Sequence, residues 1–291
     1  MNAKREQWSY LPNAKVWAGR FKNSHNAPHW HYDCELLFVE NGELGVFCNG
    51  KFYTMHAGQA FFINSEQVHY MHAKSPDTVI TMFVFDYGLI KSFANGTTPD
   101  CPLLSEKYNL RGLYDEIKEQ LSAGQKFYGE YSSCLITMKM IEIFRTEHLV
   151  PKEKRVRTVE RLKLLLTDID EKFEFYDLKT AADFMGMNPA YFSRLFHKLT
   201  GINFSQYLNY VRCRKAVELL NSGQDISITE VAFKCGFETI RNFNLIFKAF
   251  TGYTPKSLPK DFVMNESFTS LNETSHNPTS VECELLESTD D

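Results

Sequence analysis

The stretch "AADFMGMNPAYFSRLFHKLTG" (181–201) decides the fold, because its text returns as "VAFKCGFETIRNFNLIFKAFTG" (231–252). Ala182 and Gly186 match Ala232 and Gly236 at an offset of 50, and Phe192, Phe196, Thr200 and Gly201 match Phe243, Phe247, Thr251 and Gly252 at an offset of 51. Such self-similarity marks a duplicated supersecondary unit. Each copy predicts a helix, a tight turn and a second helix. Gly186 and Gly236 stand where the first helix ends and the backbone needs φ > 0. In the first copy Asn188 suits the N-cap and Pro189 the first helical position, where a missing N–H costs nothing. In the second, Ser227 and Glu230 have capping-box spacing for the leading helix, and Thr239 can cap the trailing one. Between the copies, 204–221 reads as one long helix.

One face of each trailing helix is core: Phe192, Leu195, Phe196 and Leu199 in the first, Phe243, Ile246, Phe247 and Phe250 in the second. These aromatic stripes are packing and need no ligand. The opposite faces offer Ala190, Tyr191, Ser193, Arg194 and His197, and Ile240, Arg241, Asn242, Asn244, Leu245 and Lys248. A helix-turn-helix lays its second helix in the major groove of double-stranded DNA. There an arginine can chelate guanine, an asparagine adenine, and an apolar group can touch a thymine methyl. Lys198, Arg212, Arg214, Lys215 and Lys248 are candidates for phosphate, against the plainer reading of a solvated helix face. Charge agrees with this placement. Residues 155–260 carry 16 basic and 11 acidic side chains, 1–154 carry 16 and 17, and 261–291 carry 8 acidic and no basic ones. A basic module favours a polyanion.

"MGMNPAYFSRLFHKLTGINFSQYLNYVRCRKAVELL" followed by "ISITEVAFKCGFETIRNFNLIFKAFTGYTPKSL" resembles the DNA-binding domain of AraC/XylS-type transcriptional regulators over about 85 residues. The resemblance implies two units entering successive major-groove segments, joined by the long helix. It carries the base-reading positions onto Ala190, Ser193 and Arg194, and onto Ile240, Arg241, Asn242, Asn244 and Leu245; His197, on the same free face, is a further DNA-binding candidate. Leu245 departs from the family, where a basic or long polar residue is common, so the second unit must read its site through other side chains.

Residues 14–87 read as short strands, among them "CELLFVEN", "GELGVFCNG", "QAFFIN" and "TVITMFVFD", with hairpin turns expected at Asn41-Gly42 and Asn49-Gly50. Within this region His29-x-His31-x3-Glu35-x6-Gly42 resembles the first cupin motif and Gly58-x10-His69 the second. The resemblance implies a β-barrel with His29, His31, Glu35 and His69 as a divalent metal set. Asn64, Ser65 and Glu66 depart from the second motif's Pro-x-Gly, and Ala73 stands where asparagine is common. Three readings stay open: an effector pocket without metal and no cofactor, a bound divalent metal, or catalysis by a cupin metalloenzyme fused to a DNA-binding module. Trp17, Trp30, Phe38 and Tyr53 can supply stacking faces to a small polar effector, for which a sugar or sugar derivative is the default expectation; Trp30 and Tyr53 are the choice. His56 and His72, lacking matched spacing, read as structural.

The expected layout is two-domain α+β. A cupin-like effector domain spans 1–95. A helical dimerisation segment (103–150) follows, with helices at 106–122 and 130–148 and a stripe of Leu135, Met138, Ile141 and Phe144. A linker occupies 151–157, the double helix-turn-helix 158–262, and a disordered acidic tail 263–291. Seven cysteines, odd in number and lacking a Cys-x-x-Cys pair, predict free thiols. No apolar run can cross a membrane and no apolar leader is seen, which predicts a cytoplasmic protein. The expected partners are DNA, a small-molecule effector, a second copy of the chain and, for an activator, RNA polymerase. No enzyme activity and no membrane contact are expected.

Overall fold

The computed structural model describes residues 14–105, 108–152, 157–223, 226–260, 262, 264 and 283–289. They fall into two compact bodies: a β-rich one built on residues 29–154 with the strand before them and the C-terminal strand, and a helical one built on 157–260.

The β-rich body contains β1 (Val16–Lys22), β2 (Cys34–Asn41), β3 (Glu43–Cys48), β4 (Lys51–His56), β5 (Ala60–Ile63), β6 (His69–Ala73) and β7 (Val79–Phe85). After a short α1 (Lys91–Ala94), β8 (Thr97–Pro99) pairs with β9 (Leu149–Pro151) around α2 (Leu110–Ser122) and α3 (Tyr128–Thr146). β10 (Glu284–Ser288) completes a five-stranded sheet of order β10-β1-β7-β2-β5, and β4-β3-β6 forms a second sheet.

Successive side chains of a strand point to opposite faces, and the five-stranded sheet is covered on both. Trp17, Leu37, Val39, Phe61, Ile63, Met82 and Val84 enter one core with Val46, Cys48 and Met71 of the smaller sheet. Their neighbours Val16, Ala18, Leu36, Phe62, Phe83 and Phe85 enter another with Leu110, Tyr114, Ile117, Ile136, Met140 and Ile143 of the helices. The expected barrel is thus two facing sheets with a helical layer behind the larger one. The segment 103–150 is part of the same body as the strands.

Three local expectations need correction. Asn49 (φ 49) and Gly50 (φ 78) do make a two-residue hairpin turn. Asn41-Gly42 does not: β2 and β3 lie in different sheets, and Gly42 (φ 80) carries the chain across, close against Ser75 and Thr78. On α3 the buried stripe runs through Ser132, Ile136, Met140, Ile143 and Phe144, leaving Met138 68% and Ile141 38% exposed. Finally, the tail is not without structure throughout: β10 pairs antiparallel with β1.

The helical body comprises α4 (Arg157–Lys172), α5 (Leu178–Met185), α6 (Pro189–Thr200), α7 (Phe204–Asn221), α8 (Ile228–Lys234) and α9 (Ile240–Thr251). The first three residues of the expected 151–157 linker to be described are Pro151, which ends β9, Lys152, and Arg157, which opens α4; 153–156 lie outside the described residues. All four cap expectations hold. Asn188 accepts from the Tyr191 amide, Thr239 from the Asn242 amide, Ser227 and Glu230 form a reciprocal box, and Gly186 caps α5 at φ 68. The repeated Thr-Gly also has a local cause. Thr200 and Thr251 each donate to the carbonyl four residues back at 2.8 Å, and Gly201 (φ 74) and Gly252 (φ 78) then turn the chain.

Candidate functional site

The helical body presents two recognition helices, α6 and α9. Phe192 and Phe196 are fully buried and meet Phe204 and Tyr207 of α7 at centroid distances of 5.2 to 5.6 Å. Phe243 and Phe247 are buried likewise, with Phe243 at 5.1 Å from Phe237. Leu195, Leu199, Ile246 and Phe250 are half-buried at the margins of these cores. With that face fixed, Ala190, Tyr191, Arg194 and His197 of α6 and Ile240, Arg241, Asn242, Asn244 and Leu245 of α9 are exposed, whereas Ser193 is half-buried. Leu245, at 71% exposure, is an apolar side chain held in water. The N-terminal turns, with their capped amides, lie on the same ends as these residues, which is where a groove-binding helix offers base and phosphate contacts.

Two of the basic residues expected to hold phosphate do something else. Arg212 donates to the carbonyls of Phe173 and Tyr176 and lies over the Phe237 ring at 5.8 Å. Arg214 is 5% exposed and paired with Asp170 of α4, itself 3% exposed. Both arginines therefore fasten α7 to its neighbours. Lys215 is half-buried and pairs with Glu218 at 3.0 Å, while Lys198 and Lys248 are exposed.

The β-rich body gathers the four residues of the cupin-like set. Glu35 lies on β2, between Ile63 of β5 and Val84 of β7. His69 opens β6 and exchanges both backbone hydrogen bonds with His29, each 3.0 Å. His31 is held two residues on by its carbonyl, which accepts from the Glu66 amide at 2.8 Å. Glu66 has φ 71 and occupies the glycine position of the second cupin motif. The departure in sequence therefore keeps the left-handed turn, at some strain for a residue with a Cβ.

His29, His31, Glu35 and His69 are 5%, 1%, 1% and 0% exposed, and one ligand atom from each lies within 4.8 Å of the others. The ring Nδ1 of His31 is 3.0 Å from the Asp33 carbonyl oxygen, and that of His69 is 2.9 Å from the Gln67 carbonyl oxygen. A carbonyl only accepts, so both Nδ1 atoms carry the proton and both Nε2 atoms can turn a lone pair inward. Those Nε2 atoms stand 2.9 Å and 3.4 Å from Oε1 of Glu35. Burial alone would raise the Glu35 pKa; when His69 and His31 are protonated, with an N–H on Nε2 as well, their charge and hydrogen bonds outweigh it and hold Glu35 well below the usual carboxylate range. Burial, helped by His29, presses His69 down to about 4, so its imidazole is neutral at pH 7. Oε2 of Glu35 is buried without a hydrogen-bond partner.

Lone pairs that converge on a buried carboxylate need a positive charge between them. A divalent transition metal supplies it, and outer hydrogen bonds that fix a histidine tautomer are how proteins prepare such ligands. Metal–nitrogen and metal–oxygen bonds of about 2.0–2.2 Å keep ligand atoms within roughly 4.4 Å of each other, so the residues fit an ion after shifts of a few tenths of an ångström. Cys48 lies nearby, but burial and the Glu35 charge push its thiol well above its ordinary pKa, so it is no ready fifth ligand.

The aromatic side chains offered to an effector are spread out. Trp30 is buried edge-on to Tyr32 at 5.3 Å, and Tyr53 is half-buried against Phe61 at 5.2 Å. Trp17 belongs to the core between the sheets. Phe38 packs on the helical side instead, because it is one pleat out of step with Leu37. Sequence reading passed over His25, which pairs across a β-bridge with His72. Only its separation in sequence from any strand pattern hid it. His72 is partly buried against the Phe52 ring at 5.3 Å, and His56 is exposed beside Glu43.

Comparison with known proteins agrees with both bodies. An "AraC-like ligand binding domain" family model matches residues 16–137, and a "Helix-turn-helix domain" model matches 181–260. The HTH-type transcriptional activator RhaS of Escherichia fergusonii is 28% identical over 249 residues, covering 79% of this chain and 87% of RhaS. The transcriptional regulatory protein YesN of Bacillus subtilis is 42% identical over 80 residues, 27% of this chain and 22% of YesN. The crystal structure of ToxT from Vibrio cholerae O395 is 12% identical and covers 84% of this chain and 96% of that one, with a TM-score of 0.43. The relatives are named as regulators, not as enzymes. Among the described residues no helix is long and apolar enough to cross a membrane. Carrying the ligand-binding domain ahead of the helix-turn-helix domain, the chain belongs to the AraC family of transcriptional regulators.

Proposed function

We propose that this regulator is a transcriptional activator whose effector domain is set by one divalent transition metal ion held by His29, His31, Glu35 and His69. The observation that carries the reading is the closure of the four donors around an ion-sized space with two imidazole tautomers already fixed. A sugar ring, the effector expected by default, does not fit among donor atoms within 4.8 Å of one another. Zn, Fe, Mn and Ni all suit three imidazoles and a carboxylate. When bound, the ion supplies a fixed positive charge that orders the four side chains and the strands that carry them. Such an ion shifts operator occupancy only through unequal affinity for two states of the protein. Activation is favoured by the likeness to RhaS, named an activator, and it makes RNA polymerase a partner. The exposed apolar face of α3, with Met138 and Ile141, favours a homodimer reading two half-sites.

The test is elemental analysis of the purified chain, with operator binding measured before and after chelation. Near-stoichiometric metal, lost in His31→Ala and in Glu35→Gln, with operator affinity moving on removal and returning on reloading, is expected. A metal-free protein that responds to a sugar would overturn the reading and restore the direct effector pocket.

A further inference from the structure

The C-terminal strand has a destination that the DNA-binding module does not explain. β10 follows that module in the chain, yet it lies on β1 of the effector domain. The pairs are Gly19 with Ser288, Arg20 with Glu287, Phe21 with Leu285 and Lys22 with Glu284, with a bulge between Arg20 and Phe21. The end of the strand is fastened by side chains as well. The Ala18 amide donates to Oγ1 of Thr289 at 3.0 Å, and the Thr289 amide donates to the Ala18 carbonyl at 2.9 Å. Ser288 and Thr289 are each 2% exposed. Arg20 bridges Glu287 and Glu40, at 2.5 Å and 2.7 Å, and Lys118 of α2 donates to the Ser288 carbonyl.

Without β10, β1 is the open edge of the larger sheet, a row of unpaired amides and carbonyls that proteins normally cover. The cover suits the edge in charge: residues 261–291 hold 8 acidic and no basic side chains, and the receiving edge offers Arg20, Lys22 and Lys118. We infer that residues 283–289 act as a cis clasp, an acidic edge strand that docks on the β1 edge and joins the DNA-binding module to the effector domain at both of the module's ends. A strand this short binds weakly as a free peptide. Tethered in the same chain, its effective concentration is about millimolar, enough to keep it docked while leaving it exchangeable.

Hydrogen exchange on the full chain and on a chain ending at residue 282 tests this. The Ala18 amide is expected to exchange at least about tenfold faster after truncation, with protection in the full chain unchanged on dilution. A labelled peptide of residues 283–291 should bind the truncated chain and not the full one. The charge swap separates docking from misfolding: Glu287→Arg alone should release the strand, and adding Arg20→Glu should restore it. Equal exchange of Ala18 in both chains, or a peptide that fails to bind the truncated chain, overturns the clasp. Protection that fades on dilution overturns its cis character, since the strand would then come from a second copy.

Discussion

Replacing Asp170 by alanine tests the assignment of Arg214 most directly. The pair joins α4 to α7 with Asp170 3% and Arg214 5% exposed, and the rings of Tyr207 and Tyr210 close around it. Removing the aspartate leaves a guanidinium in an interior where burial penalises its charge, which costs about 3–5 kcal/mol. For a module of roughly 100 residues, each kcal/mol moves the midpoint by about 4–8 °C, so a fall of roughly 12–40 °C is expected. The assay is available without labels. All three tryptophans precede the DNA-binding module in sequence, and Trp17 and Trp30 are buried in the effector domain, so their fluorescence follows that domain while far-UV circular dichroism follows the helices. The helical transition should drop and the tryptophan transition should hold. Asp170→Leu combined with Arg214→Met should recover most of the loss, because well-packed apolar groups replace a buried pair at little cost. The reasoning fails if Asp170→Ala costs under about 1 kcal/mol. It fails equally if Arg214→Met leaves stability intact and flattens the salt dependence of operator binding, the mark of a lost phosphate contact.

Other outcomes follow from the same geometry. The two turn glycines should differ: Gly186→Ala meets only the Arg161 side chain at 3.7 Å and bears the left-handed penalty of about 1 kcal/mol, whereas Gly236→Ala drives a Cβ to 2.8 Å from the Glu174 backbone and should cost at least twice that in thermal unfolding. Arg194→Ala should weaken specific operator binding by about 1–3 kcal/mol in a titration and leave unfolding unchanged; equal loss on random DNA would mean that Arg194 holds phosphate. Burial depresses His25 to about 4, and burial with the charges of His25 and Lys74 does the same to His72. Between pH 6.5 and 4 the unfolded chain therefore takes up protons that the folded one refuses, so stability should fall as pH drops through that window, by up to about 1.4 kcal/mol per pH unit for each histidine. His25→Gln should make the fall shallower in denaturant titrations, and an unchanged slope would show that the pair is not responsible.

The DNA-binding module was legible almost to the residue because its signals are local. Asn188, Pro189, Thr239 and the Ser227–Glu230 box act within one helical turn, so text and structure coincide. Arg212 and Arg214 were misjudged for the opposite reason: their partners, Phe173, Tyr176 and Asp170, lie 36 to 44 residues away in sequence. In the effector domain the four-residue cluster followed from the cupin resemblance, but not the route by which it closes, His69 reaching it through a β-bridge to His29. The α3 stripe failed because a helix half-covered by a sheet reveals its inward face only through what it touches. "CELLFVEN" and "TVITMFVFD" read as unbroken apolar runs, since a sheet buried on both sides has no polar face to set the alternation. The clasp was hidden by composition: Ser, Thr and Glu suggest a solvated tail until Arg20 and Ala18 supply partners.

The double coverage of that sheet has a mechanical consequence. Glu35 faces the histidine cluster, and Leu36, the next residue along β2, is locked among the side chains of α2 and α3. Two interiors thus share one peptide unit as their wall. A ligand that draws on the carboxylate would act through this backbone on the leucine, and so on the helical layer whose outer face carries Met138 and Ile141.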